Sequence, residues 1–427
     1  MVSLTLTALL EALHIESRPA CFETLYPAAA LEYAAQGCIY VQERFLQALD
    51  REFDLFPRRR EAVYRAAAAI RENEPLARYT VLLAQLTHAP RLFYAEREAL
   101  RLPEAPRGED PLPYEMTGFF ALVATVPDEA RALRARRVPE DVIRSTVQGH
   151  DLSVMIFERS HGRPGFDTGR IGWCLNFAPP SNTLTIGRFN FAPSHFDYPA
   201  VVLRSKTGAY RVLMINARFH RSGLVLGSPA AEDEDGAFDA DFVETDTYYE
   251  GYPPAPTVPG KPARVQKTRV RLPKSGWEVV LRPGDPYLVT HIPPVQAFGH
   301  DIQRASYRRA REIYANCYPD LGIRAIHCRS WLIAPQMQAF LKPDSNIVAF
   351  QRDHLLYPAP CNGQAVFSHL FLQPVERMED LPERTAMERG VKAVYVGGGV
   401  IYECAGFNIT HEANDPPVLW TKPDETR

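Results

Sequence analysis

His291, Cys328 and Ser330 are the residues whose types and positions suggest proton-transfer or nucleophilic chemistry. An imidazole with an ordinary pKa of about 6.5 can take up a proton near neutral pH. A serine hydroxyl can donate a hydrogen bond to a developing oxyanion. A buried thiol is more often packing than nucleophile. His327 and Cys328 are neighbours, but on a strand successive side chains point to opposite faces, which argues against a direct dyad. His327 and Arg329 share one face, and Cys328 and Ser330 the other. In the stretch PYLVTHI, Tyr287, Val289 and His291 share a face opposite to Leu288, Thr290 and Ile292. If the two stretches are adjacent parallel strands, one register brings His291 beside Cys328 or Ser330, and the register stays open. The plain alternative is a satisfied, half-buried histidine.

Between these stretches lies LVTHIPPVQAFGHD, residues 288–301. It reads as a strand that breaks at Pro293-Pro294 and enters an amphipathic helix. Such a junction can hold an anion on the free N–H groups at the positive end of the helix. The amides of Gln296, Ala297, Phe298, Gly299 and His300 are the candidates. A protonated His300 would add charge. The junction can equally be a plain crossover. No nucleophile elbow, Walker loop or dinucleotide fingerprint is present, and GGGVIYECAG (397–406) lacks the strand-then-helix spacing of a phosphate loop. Histidine pairs at ligand spacing are missing too, so no metal is expected.

The elements that must position these residues follow from periodicity. PYLVTHI (286–292), a helix over 299–318 and RAIHCRSWLI (324–333) make a βαβ unit with parallel strands and a right-handed crossover. A short helix at 335–341 follows, then a further helix near 381–395. Upstream, residues 1–165 read as helical: 60–86, 126–137 and 138–162 are rich in helix formers with apolar residues at helical spacing. From 166 onward, 183–191, 200–219, 264–272 and 277–292 alternate and are rich in β-branched and aromatic residues, which predicts an antiparallel meander. SPAAEDEDGAFDADFVETD (228–246) is acidic and YEGYPPAPTVPGKPA (249–263) is rich in Pro and Gly. Together, at about 228–263, they are expected to form a long solvated loop. The fold class is thus mixed α/β (α+β), a helical domain followed by a mixed sheet.

Bulk properties narrow the function classes. The 427 residues are 46% hydrophobic, enough for two domains, and the net charge is −3. A nucleic-acid protein would usually carry a basic excess. Seven cysteines, an odd number, contain no C-x-x-C pair, which speaks against a disulfide framework or zinc finger and for a reducing cytoplasm. The N-terminus lacks the pattern of a signal peptide, and no apolar run reaches the length of a membrane span.

Several linked stretches then point further: VPEDVIRSTVQGHDLSVMIFERSHGRPGF (138–166), IGRFNF (186–191), GDPYLVTHIP (284–293), SYRRAREIYANCYPD (306–320), HCRSWLIAPQMQAFLKPDSNIVAFQR (327–352) and LPERTAMERG (381–390). In this order they resemble a bacterial family of two-domain acyltransferases, with a helical N-acyltransferase N-terminal domain and a GNAT-like C-terminal domain. The resemblance implies domains at 1–165 and 166–427, the latter with a βαβ unit at about 286–333. It implies acyl-CoA as co-substrate, transfer of its acyl group to an amine or hydroxyl of an unknown small-molecule acceptor, and two parallel strands that part around the pantetheine arm. Val289, Thr290 and Ile292 would line that arm, and Gln296 to His300 would face the pyrophosphate. His291 would act as base or proton relay and Ser330 as hydroxyl donor, with Cys328 near the acyl group. The sequence Pro294-Val295-Gln296-Ala297-Phe298 stands where the family's turn is glycine-rich. That departure supports an alternative, a catalytically silent GNAT-like module that binds a metabolite or a protein partner. A cysteine-dependent hydrolase is the third reading.

Overall fold

The computed structural model describes residues 4–294, 298–371, 377–409 and 419–420. Gln296 and Ala297, two of the expected anion-facing amides, lie outside the described residues. The chain divides into two compact units, Met1–Thr185 and Ile186–Arg427.

The first unit is helical, but its long runs are cut. The stretch 60–86 forms two helices, Arg60–Glu72 and Glu74–Thr87. Asn73 makes the break. Its side chain accepts a hydrogen bond from Leu76 N at 3.1 Å, and Pro75 sits in the first turn, a capped start worth about 1 kcal/mol. Likewise 138–162 forms Glu140–Val147 and Gly149–His161, joined at Gln148. Gln148 Nε2 lies 3.0 Å from the carbonyls of both Phe53 and Asp54, which fixes the joint.

Helix Glu74–Thr87 buries residues on nearly every side, from Leu76 and Tyr79 to Leu83 and Leu86, the pattern of a core helix. Its buried hydroxyls are satisfied locally. Thr80 Oγ1 donates to Leu76 O at 2.8 Å, and Thr87 Oγ1 lies 2.9 Å from the carbonyls of Ala84 and Ala121. Helix Thr168–Cys174 packs on Thr117–Val123 and Gly149–His161. Residues 166–185 therefore go with this unit, although the sequence texture changes at Gly165; TGRIGWC is too short and glycine-rich to show a helical period.

This unit also buries ionic groups. His150 Nε2 lies 3.0 Å from Glu129 Oε2, and both side chains are fully buried. Burial alone would push the imidazole down, but the Glu129 carboxylate and Cys174 outweigh it and hold it up at about 10. Arg59 joins Glu158 at 2.6 Å and Asp151 at 3.5 Å.

Strand β1 (Leu184–Ile186) spans the boundary, and the second unit carries β2 (Phe189–His195), β3 (Ala200–Ser205), β4 (Tyr210–Met214), β5 (Ala217–Phe219), β6 (Phe238–Ala240), β7 (Val243–Glu244), β8 (Tyr248–Gly251), β9 (Val270–Pro273), β10 (Trp277–Leu281), β11 (Pro286–His291), β12 (Ile326–Ser330), β13 (His354–Pro358) and β14 (Cys404–Asn408). A mixed sheet has the order β1-β2-β11-β12-β14-β13. Within it β11 and β12 pair in parallel, joined by helix His300–Cys317 in the expected βαβ unit. The tail strand β14 inserts between β12 and β13, antiparallel to both. One face of the sheet, through Tyr287, Ala325, Tyr357 and Phe407, packs on Val202 of β3 and Met214 of β4. The other, through Phe189 and Phe191, packs on Tyr307 of the crossover helix.

The region 228–263, expected as a solvated loop, contains β6, β7 and β8. β5 pairs with β6, and β8 with β7 and β9. Its acids have basic partners: Glu234 with Arg218 at 3.0 Å, Asp241 with Arg269 at 2.6 Å and Glu244 with Lys274 at 2.9 Å. Exposed pairs contribute at most about 1 kcal/mol each, so the strand pairing and the ring contacts Phe219–Phe238 and Phe238–Tyr252 order the region. Acidic composition masked those aromatic residues.

Helix Ala386–Val396 opens with a capping box, Thr385 and Glu388 each accepting from the other's backbone N–H. A Cβ on Gly390 would overlap the ring of Phe340. Alanine in a helix normally gains about 1 kcal/mol over glycine, whereas overpacking costs roughly 1–3 kcal/mol. Gly390→Ala is therefore expected to destabilise by roughly 1 kcal/mol net, read as a lower urea midpoint; a raised midpoint would show that Phe340 swings aside freely.

Candidate functional site

The paired register of β11 and β12 is Leu288 opposite Ile326 and Val289 opposite His327, and it goes no further. Yet β11 continues to His291 alongside β2, with Thr290 opposite Phe191 and His291 opposite Asn190. β12 continues to Ser330 alongside β14, with Cys328 opposite Gly406 and Ser330 opposite Cys404. Each strand stays with its outer neighbour while the two part from each other. Leu288 N–H donates to Ala325 O, and peptide groups alternate in direction along a strand, so the backbones of Thr290 and Arg329 face the notch that opens at the C-terminal ends of both strands, while His291 turns its peptide groups to β2.

The register settles which side chains share a face. Side chains directly opposite one another in a sheet lie on the same side. Val289 and His327 define one face, to which His291 and Arg329 also belong. Leu288 and Ile326 define the other, to which Thr290, Cys328 and Ser330 belong. The structure therefore brings Cys328 and Ser330 together with Thr290 and places His291 across the sheet from them.

His291 is largely buried, and burial pushes its imidazole down to about 4, so it is neutral at physiological pH. Arg329 shares its face, 2.8 Å from Glu403 Oε2 and 2.7 Å from Pro360 O. Behind it His327 is fully buried, with Nε2 2.7 Å from Tyr357 Oη and its ring among those of Tyr198, Tyr287 and Phe407. Burial pushes this imidazole down to about 3, and its setting is that of core packing. On the opposite face Cys328 is buried and its thiol is pushed up to about 12, which keeps it protonated and removes it as a nucleophile. Ser330 Oγ accepts from Leu332 N at 3.1 Å, capping the turn Trp331–Ile333; its own proton remains to be donated.

Beyond the notch the chain reaches Gly299, the N-cap of helix His300–Cys317, which has no capping side chain of its own. Phe298 is anchored by ring contacts with Phe189 and Phe350. His300 is held by two side chains. Its Nε2 is 2.8 Å from Asp353 Oδ2, and its amide lies 3.4 Å from Asn346 Oδ1. Gly299 adopts φ −70°, a conformation open to any residue.

Two features were missed by sequence reasoning. Tyr307 Oη lies 3.3 Å from His354 Nε2 in the core beneath Thr290 and Cys328; burial pushes that imidazole down to about 4 and the phenol well above its usual range. The other is Arg188, which is 4% exposed. Its only signal was its place in IGRFNF, directly before β2. Among the described residues no group of three or more His, Cys, Asp or Glu could hold a metal ion, and no helix is long and apolar enough to cross a membrane.

A mixed sheet whose central parallel pair parts beside a helix start is a GNAT-like arrangement. The family model for the GNAT-like C-terminal domain matches residues 184–408, and that for the N-acyltransferase N-terminal domain matches residues 45–178. The chain belongs to this two-domain N-acyltransferase family. Among solved structures it is similar to an acyltransferase mutant in complex with octanoyl-CoA, at 16% identity and a TM-score of 0.58. It is also similar to an acyltransferase with decanoyl-CoA and teicoplanin (19%, 0.57) and to one with CoA and 10C-Teicoplanin (20%, 0.55). Each comparison covers 94% of this chain and 98% of the other. At these identities the likeness is one of fold. No curated protein matches the sequence.

Proposed function

We propose that this protein is an acyl-CoA-dependent acyltransferase that moves an acyl group to an amine or hydroxyl acceptor. The observation that carries the reading is the parting of β11 and β12 after Val289 and His327. A thin chain with its own amides can lie in the gap against the backbone of Thr290 and Arg329, the mode by which extended ligands add to a sheet. The residues fit such a ligand: a gap between two strands for its amides and the positive end of a helix for its anionic end.

Acyl-CoA supplies an activated thioester carbonyl. The chain's own residues do the rest. His291, neutral at the mouth of the notch, takes or relays the proton that the acceptor N–H or O–H loses as it attacks. Ser330 donates its hydroxyl proton in a hydrogen bond toward charge that develops on the carbonyl oxygen or departing sulfur. The products are an amide or ester and free CoA thiol. Cys328 packs and takes no covalent part. The related structures hold octanoyl-CoA, decanoyl-CoA and teicoplanin, which makes medium-chain donors and a glycopeptide amine or hydroxyl the first pair to try.

Thermal unfolding with CoA, acetyl-CoA, octanoyl-CoA and decanoyl-CoA tests the reading. Ligand at about 100 times its Kd should stabilise the protein by about 2.7 kcal/mol, with the larger shift from the longer acyl chains. No shift with any of them would defeat the proposal. A shift without thiol release in the presence of any acceptor would favour the silent binding module.

A further inference from the structure

Arg188 lies in the turn between β1 and β2, and that turn is fixed from two sides. Gly187 takes φ +60°, and a Cβ there would collide with Ser306 Oγ. The Arg188 amide donates to that same hydroxyl at 2.8 Å, and the hydroxyl donates to Ile302 O at 2.7 Å. Ser306 and Ile302 belong to the first turns of helix His300–Cys317, so the turn is tied to the start of the crossover helix. β2 runs antiparallel to β11 with Asn190 opposite His291. Two residues back along β2, Arg188 is level with the point where the chain leaves β11 for the helix.

The side chain follows the same direction. Its guanidinium carbon is 5.2 Å from the ring centroid of Phe298 and 6.0 Å from that of Phe189, and Phe298 directly precedes Gly299, the N-cap of the helix. Arg188 is 4% exposed, yet its Nε and Nη1 have no hydrogen-bond partner. Burial lowers its pKa to about 10 with no carboxylate offsetting it. A buried cation is normally paired, because desolvation without a counter-charge is costly. Of the acids at the helix start, Asp301 is exposed, and Asp353 is engaged by His300 at 2.8 Å and Arg304 at 3.9 Å. Ring stacking satisfies the face of the guanidinium but not its in-plane N–H groups. Two unmatched donors on a fixed cation beside a helix's positive end suit one ligand class, a phosphate.

We infer that Arg188 is a binding residue for the diphosphate of CoA, gripping it together with the N-terminus of helix His300–Cys317. The inference rests on the acyl-CoA reading above and adds to it a side chain from outside the βαβ unit. Arg188 takes the place of the glycine-rich turn that this chain lacks, supplying by a side chain the donors that extra backbone amides would supply.

The test measures affinities of wild type, Arg188→Met and Arg188→Lys for octanoyl-CoA, 3′-dephospho-octanoyl-CoA and S-octanoyl-pantetheine by calorimetry. Methionine keeps the stem packed on Phe298 and removes the buried charge, so the variant is expected to fold; a native near-ultraviolet dichroism spectrum checks this, and the lysine variant stands in if it does not. The expected result is a roughly 10- to 100-fold weaker affinity of Arg188→Met for both CoA thioesters, unchanged affinity for the pantetheine thioester, and partial recovery in Arg188→Lys. Equal losses for CoA and pantetheine ligands would make Arg188 structural and overturn the inference. So would wild-type affinity in Arg188→Met, or a loss confined to the ligand that bears the 3′-phosphate. Failure of the wild type itself to bind octanoyl-CoA would bring down the acyl-CoA reading first and this inference with it.

Discussion

His291→Ala should lower the acyl-transfer rate roughly 10²- to 10⁴-fold, the usual span for losing a general acid–base group, while octanoyl-CoA affinity changes little. The expected separation of kcat from binding follows from the position of the residue. Its backbone belongs to the β11 edge, which alanine preserves, whereas its imidazole is the group assigned the acceptor's proton. The wild-type pH profile carries a second signature. Burial holds His291 down at about 4, so its neutral, proton-accepting form persists from alkaline pH to well below 6. The acid limb of kcat should therefore fall nearer pH 4 than the value of about 6.5 for an ordinary imidazole. A His291→Ala enzyme with full rate, or one that loses CoA affinity and rate together, would remove His291 from the mechanism.

A second large effect is expected in the helical unit. Glu129→Ala should destabilise the protein by roughly 3–5 kcal/mol, since it leaves His150 buried without its counter-charge. Replacing both members with apolar residues of similar volume, Glu129→Leu with His150→Leu, should recover most of the loss. The pH dependence has a defined sign. His150 is held at about 10 when folded, above its unfolded value of about 6.5. Its contribution is complete below pH 6.5 and disappears as pH rises toward 10. His291, His327 and His354 are held down at about 4, 3 and 4. They bind protons more readily when unfolded, so their effect is a loss of stability as pH falls below 6.5. Urea midpoints should peak near neutrality and fall on both sides, each group changing the slope by at most about 1.4 kcal/mol per pH unit. Glu129→Ala should flatten the alkaline side alone; an unchanged alkaline slope would show that His150 is not the group responsible.

How much of this was legible beforehand depended on the sequence distance of the partners. The βαβ unit could be read because its strand, crossover helix and strand are contiguous, and each carries its own period. Face alternation correctly separated His327 from Cys328. It could not separate His291 from Cys328 and Ser330, since that needs the register of two strands more than thirty residues apart. Helix 60–86 hid its break because Asn73 and Pro75 act as a cap, a local effect overlooked amid strong helix formers. The ordered 228–263 region was lost behind its acidic residues, whose partners, such as Arg269 and Lys274, lie beyond it in the chain. Arg188 was unreadable for the same reason. Its significance comes from Ser306 and Phe298, over one hundred residues away, and a lone arginine in a turn has no pattern of its own.

The divergence of β11 from β12 gives this protein an edge in the interior of its sheet. Exposed edges invite any passing strand, and proteins usually defend them. Here the neighbouring strands act as the defence. The recess runs two residues along one wall and three along the other, about 7–10 Å at strand rise. A polypeptide with side chains on both sides finds no room to pair for so short a length, whereas an unbranched amide chain does. The same geometry that admits a substrate thus filters out intermolecular β-association. It also makes the amide proton of Arg329, which is directed into the recess, a reporter: its exchange with solvent should slow when a ligand completes the sheet, while those of β13 stay as they were.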